Sequence, residues 1–168
     1  MGKTLYTGRR AAPVFFLAGL IATAAVQRVY AQTAAPAPSP SKQAIEARKA
    51  AFVLIGQNFK PVGDTLQGRT PYDAEQIRKR TARVAFLAEL LPETFPDVSN
   101  VGEPGTRTKP EAWSNRADFD KKLKEFREHS AALAQVAVRE SSTSDAFKAA
   151  ATAVAQDCKT CHDNYRTK

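Results

Sequence analysis

At 168 residues the chain is long enough for one domain with a substantial core and short for two. Lys and Arg number 25 against 17 Asp and Glu, a formal net charge of +8. The bases are interspersed with acids and not gathered into a stripe, which argues against a nucleic-acid partner.

Lys3, Arg9 and Arg10 precede an apolar run from Ala11 to Val26, which gives way to Val29-Tyr30-Ala31. That is the pattern of a secretory signal peptide cleaved near Ala31. The run contains Pro13 and Gly19 and falls short of the ~20 apolar residues a spanning helix needs, so no membrane span is expected after cleavage. Residues 1–31 are therefore read as a signal peptide and the protein as exported to the periplasm. Their removal leaves 21 bases against 17 acids, a net charge of +4. Residues 32–41 contain the Pro/Ala-rich stretch TAAPAPSP, read as a flexible segment, and 42–168 as the domain.

Beyond that segment no strand alternation is found, and four segments show helical periodicity. The first is expected from an N-cap near Ser41 to Phe59, where Pro61 should stop it, with Ile45, Arg48, Phe52, Ile55 and Phe59 on one stripe. The second is expected to open with Thr70 as N-cap and Pro71 at the first helical position, and to close at Leu91 before Pro92. Its stripe is Ile77, Val84, Leu87, Ala88 and Leu91. Residues 92–114, with four prolines and the single tryptophan, Trp113, read as a long irregular connection. The third helix starts around Ser114-Asn115 and carries Phe119, Leu123, Phe126, Ser130, Leu133 and Ala137. The fourth follows the SSTSD turn and carries Phe147, Ala151, Val154, Cys158, Cys161 and Tyr165. Steps of four and three on the last two are the seam spacing of helices packed at a shallow angle. The fold class is all-α, a four-helix bundle with one long middle loop.

The last stripe carries the chemistry. In CKTCH, Cys158 and Cys161 lie on the inward seam and His162, four residues after Cys158, shares that side. Two thiols at this spacing can add to the vinyl groups of a porphyrin while the adjacent imidazole reaches the iron, the pattern of covalent haem c attachment. A structural zinc site wants four Cys or His ligands, and the only other histidine is the distant His129. A thioredoxin-like CxxC needs a βαβ context, and a disulfide across a helical CxxC is strained. With the export signal, haem is the reading carried forward.

A second axial ligand is harder to find. The one methionine is Met1, and His129 lies one position off its helix's seam, where a surface imidazole between Glu128 and Ser130 is the expectation. The iron is therefore expected to be five-coordinate through His162, with a lysine ligand as the open alternative although none falls on the inward stripe of the first helix. Arg48, between Ile45 and Phe52 on the first stripe, is too costly to bury unpaired, and a haem propionate would supply the anion; the alternative is a guanidinium kept in water. Phe52, one turn on, would cover the distal face.

From Ala44 to Arg166 the sequence resembles the cytochromes c′, the high-spin class II c-type cytochromes, with AIEARKAAFVLIGQNF, PYDA, KPEAWS and CKTCHDNYR in the family's order. The resemblance implies an up-down-up-down antiparallel bundle with covalently attached haem c, one per chain, in a protein of the periplasm that is usually a homodimer built on its first two helices. It implies thioether roles for Cys158 and Cys161, proximal ligation by His162, a proximal-side arginine at Arg166, a propionate-side arginine at Arg48 and a distal shield at Phe52. The middle-loop sequence VSNVGEPGTRT departs from the family's usual Gly-rich stretch.

An apolar distal pocket without a hydrogen-bond donor suits small neutral gases, NO and CO, and the leading expectation is a gas-binding haem protein that limits NO toxicity. The alternative is an electron carrier in a periplasmic chain, its positive surface docking an acidic but unknown redox partner. No distal acid/base pair is evident, so an enzyme is not expected.

Overall fold

In the computed structural model, which describes Gly2, residues 37–102 and residues 104–168, five helices form: α1 (Pro40–Leu66), α2 (Ala74–Leu90), α3 (Glu111–Ser114), α4 (Arg116–Arg139) and α5 (Asp145–Tyr165). Apart from Gly2, the expected signal peptide lies outside the described residues, as does the first half of the expected flexible segment, residues 32–36. Among the described residues no helix is long and apolar enough to cross a membrane.

Three of the four long helices begin on a side-chain cap. Ser39 accepts from the Lys42 amide with Pro40 at the first turn, Asp73 from Gln76 and Ser144 from Phe147. Two predicted starts shift accordingly. The first cap is Ser39 and not Ser41, whose side chain is buried. The second is Asp73 and not Thr70, whose hydroxyl instead meets that of Thr65 at 3.0 Å.

The expectation that Pro61 ends the first helix is overturned, for α1 continues to Leu66. A proline lacks the N–H that would bond the carbonyl four residues back, here Gln57. Arg80 Nη1 from α2 donates to that carbonyl at 3.4 Å, replacing part of the missing bond. The helix stops instead at Gly68, whose φ of 71° suits only a residue without Cβ. There the Arg69 amide bonds Asp64 O (2.8 Å) and the Gly68 amide bonds Thr65 O (3.0 Å), the paired bonds of a glycine-terminated helix.

The predicted stripes become the core. On α4 the buried residues are Phe119, Leu123, Phe126, Ser130, Leu133 and Ala137, and on α5 Phe147, Ala151, Val154 and Tyr165. On α2, Thr81 fills the gap between Ile77 and Val84, its hydroxyl donating to Ile77 O at 2.8 Å. α1 packs on α2, α2 on α4, α4 on α5, and α5 back on α1, so consecutive long helices neighbour one another in an antiparallel up-down-up-down four-helix bundle. The α1–α5 contact is the slightest of the four. The connection between α2 and α4 is less irregular than expected, with 3₁₀ turns at Leu91–Thr94 and Asp97–Ser99 before α3.

Candidate haem site

A cavity of about 610 Å³ is lined by α1, α4, α5 and the loop residues Gly105 to Thr108. Its volume falls within the ~300–1,000 Å³ of sites that enclose a small molecule. Cys158, Cys161 and His162 all reach it, as do Arg48, Phe52 and Arg166, so the six residues singled out in the sequence are brought to one place.

Cys158 and Cys161 are half-buried and unbridged. Burial pushes both thiols up to about 11, so they stand protonated at neutral pH. A metal site would instead want thiolates. Among the described residues, no three Cys, His, Asp or Glu are grouped as a metal ion would need. His162 sits at the exposed rim. Partial burial, then the guanidinium of Arg166, hold its imidazole below the ordinary value, in the neutral form that can ligate iron.

Arg48 is 3% exposed, which removes the reading of a guanidinium kept in water. Its Nε and Nη2 donate to Thr94 O (3.1 and 3.0 Å), Nη2 also to Ser99 Oγ (2.7 Å) and Nη1 to Thr108 Oγ1 (2.8 Å). The Phe95 ring lies 4.2 Å from the guanidinium carbon and Trp113 5.4 Å. Burial lowers the group to about 10, still a cation at neutral pH. None of its partners is a carboxylate, and one Nη1 N–H is left for a further acceptor. A buried, cavity-lining cation without an anion fits a carboxylate-bearing ligand. Thr94, Phe95, Ser99, Thr108 and Trp113, which hold Arg48, were not found from the sequence. They lie on two 3₁₀ turns, on α3 and on the loop between, elements too short to show a period, and the one available signal was the single tryptophan, Trp113.

Phe52 stands edge-on to Phe95, ring centroids 6.4 Å apart, and to His162, 6.3 Å apart. Lys49, Lys60 and Lys122 also line the cavity, but each ammonium is engaged by a carboxylate: Glu46 at 3.1 Å, Asp64 at 2.8 Å and Asp118 at 3.5 Å. Tyr165 donates its hydroxyl to Asp118 and is pushed up to about 12, first by burial and then by that carboxylate. His129 does not line the cavity and pairs with Asp157 at 2.8 Å.

A bundle whose last helix turns Cys-x-x-Cys-His onto an apolar cavity, with a buried arginine lining it too, defines a haem-binding protein of the c-type cytochrome class. Residues 43–166 match the family described as Cytochrome C'. Cytochrome c' of Rubrivivax gelatinosus is 34% identical over 74% of this chain and 95% of its own. The structure of cytochrome c prime from Shewanella frigidimarina superposes with a TM-score of 0.72 at 35% identity, covering 78% of this chain and 99% of that one. A nitric oxide complex of a cytochrome c prime variant from Alcaligenes xylosoxidans superposes at 0.68 and 29% identity, covering 77% and 98%. The chain belongs to the cytochrome c′ family of non-enzymatic haem proteins, and membership implies a covalently attached haem c.

Proposed function

We propose that this is a periplasmic cytochrome holding one haem c per chain, with five-coordinate iron, that binds small neutral gases and protects against nitric oxide. In this reading Cys158 and Cys161 form the thioethers, His162 is the proximal ligand and Arg48 pairs with a propionate. Phe52 shields the distal face and Arg166 acts on the proximal side. The haem, when bound, supplies an iron with one open position. The chain's residues decide what can use it.

The observation that carries this reading is that, among the described residues, every cavity-lining lysine is paired with a carboxylate and no methionine or second histidine lines the cavity. The one methionine is Met1, His129 is outside the cavity, and the three cavity lysines are held by carboxylates. The side that Phe52 and Phe95 present offers bulk and no donor. A neutral diatomic can enter such a space without a hydrogen bond, and in this reading the free N–H of Arg48 is taken up by the propionate. The nitric oxide complex of the Alcaligenes variant supports gas binding.

The test is spectroscopic. The ferric protein should be high-spin, and the ferrous protein should change on adding NO and CO; a low-spin ferric spectrum, or no response to either gas, would overturn the reading. Electron transfer is the second reading, favoured by Arg107 and Arg166 at the cavity, which have no carboxylate partner among the described residues and could meet an acidic redox protein. A homodimer through α1 and α2 is supported by Val53, Leu54, Phe86 and Leu90, large apolar residues exposed on those two helices. Sedimentation of the purified protein checks it. Export is checked by the mature N-terminus, expected at Gln32.

A further inference from the structure

The last four carbonyls of a helix have no partner within it, and an unmet helix end frays. In α5 these belong to His162, Asp163, Asn164 and Tyr165, the turn that carries the imidazole. The Arg166 amide bonds His162 O at 3.2 Å. The other three carbonyls are met by one residue. Lys109 Nζ donates to Asp163 O (3.1 Å) and Asn164 O (3.2 Å), and the Lys109 amide donates to Tyr165 O (2.9 Å). Its neighbours extend the hold, because Thr108 bridges Arg166 and the Thr167 amide bonds Arg107 O at 2.9 Å. Thr108 also accepts from Arg48 Nη1.

From this arrangement we infer that Lys109 is a positioning residue for His162, and that Thr108 ties the turn it caps to Arg48 on the cavity's other side. The inference rests on His162 being the iron ligand in the proposed function. A helix end held at three carbonyls restricts the tilt and rotation of the imidazole, and so the strength of its bond to iron. An ammonium suits this place, since a cation also complements the negative end of the helix.

The test uses the haem-loaded, gas-free ferrous protein. In Lys109→Met the stem is kept and the ammonium lost, so the iron–imidazole stretching band should shift and broaden. Exchange of the Arg166 and Thr167 amides should quicken by at least about twofold, because the Nζ bonds to Asp163 O and Asn164 O are lost together. Lys109→Arg should restore both, and Thr108→Val should move the band less than Lys109→Met does. If the methionine variant does not fold, Lys109→Gln, with a neutral donor, takes its place with the same expected direction. A folded, haem-loaded variant with band and exchange unchanged overturns the inference. Neither readout needs a gas. A wild-type protein indifferent to NO whose variants still shift the band would sink the gas-binding proposal and support this one.

Discussion

Replacing Phe52 with alanine tests whether that ring gates the distal side. In the structure the ring is half-buried and held edge-on to Phe95, with centroids 6.4 Å apart and planes at 72°. Such a pair is worth ~0.5–1.5 kcal/mol beyond the area it buries. If the ring must leave Phe95 before a ligand enters, that energy is part of the entry barrier. At ~1.36 kcal/mol per tenfold in rate, its removal quickens entry about two- to thirteenfold. The assay is CO recombination with the ferrous protein after flash photolysis. Phe52→Leu should fall between wild type and alanine. Phe95→Leu, which leaves the gate in place but frees its neighbour, should also quicken entry. Rates for Phe52→Ala unchanged or slower than wild type would refute the reasoning, since no ring would then be displaced on the way in.

Other substitutions probe the scaffold. Arg48→Met should lower the thermal midpoint of the haem-loaded protein by at least about 3 °C, because it strands the Thr94 carbonyl at a cost of ~1–3 kcal/mol; an unchanged melt by circular dichroism contradicts this. Ser130→Ala should raise the denaturant midpoint, since Ser130 Oγ is buried with no hydrogen-bond partner among the described residues and its loss removes a desolvation penalty of ~1–3 kcal/mol. Pro61→Ala should also stabilise, by about 1–3 kcal/mol, by restoring the bond to Gln57 O in a continuous helix; a lower midpoint would show that the proline is better accommodated than its missing N–H implies. The Tyr165 hydroxyl and then Lys122 hold Asp118 below its usual range. A depressed folded pKa means stability that is present above the unfolded value, near pH ~4, and lost as pH falls through the folded one. Asp118→Asn should flatten the acid limb of a stability-against-pH curve in that window; an unaltered limb excludes the carboxylate.

The stripes of the third and fourth predicted helices were legible because core burial repeats at helical spacing, and α4 buries the six residues read from its sequence. The Cys-x-x-Cys-His motif was legible for the same reason that it works: a short spacing on one helix places its three groups on one side without help from the rest of the chain. Pro61 misled because its consequence depends on a residue 19 positions away, Arg80, which answers the carbonyl left open. Gly68 was the better signal for the end of α1, as its positive φ shows.

Local order thus determined that this protein is a helical bundle with a haem-attachment motif, since both follow from the identity of neighbours three and four residues apart. Tertiary structure decided how Arg48 is held. Its partners lie at Thr94, Ser99 and Thr108, 46 to 60 positions on, and come from two short 3₁₀ turns and a loop that carry no extended period. It likewise decided that Lys109 closes the helix end behind His162. Hydrogen bonds across such separations leave no period in the sequence, because they are made by the folded chain and not by the spacing of its residues.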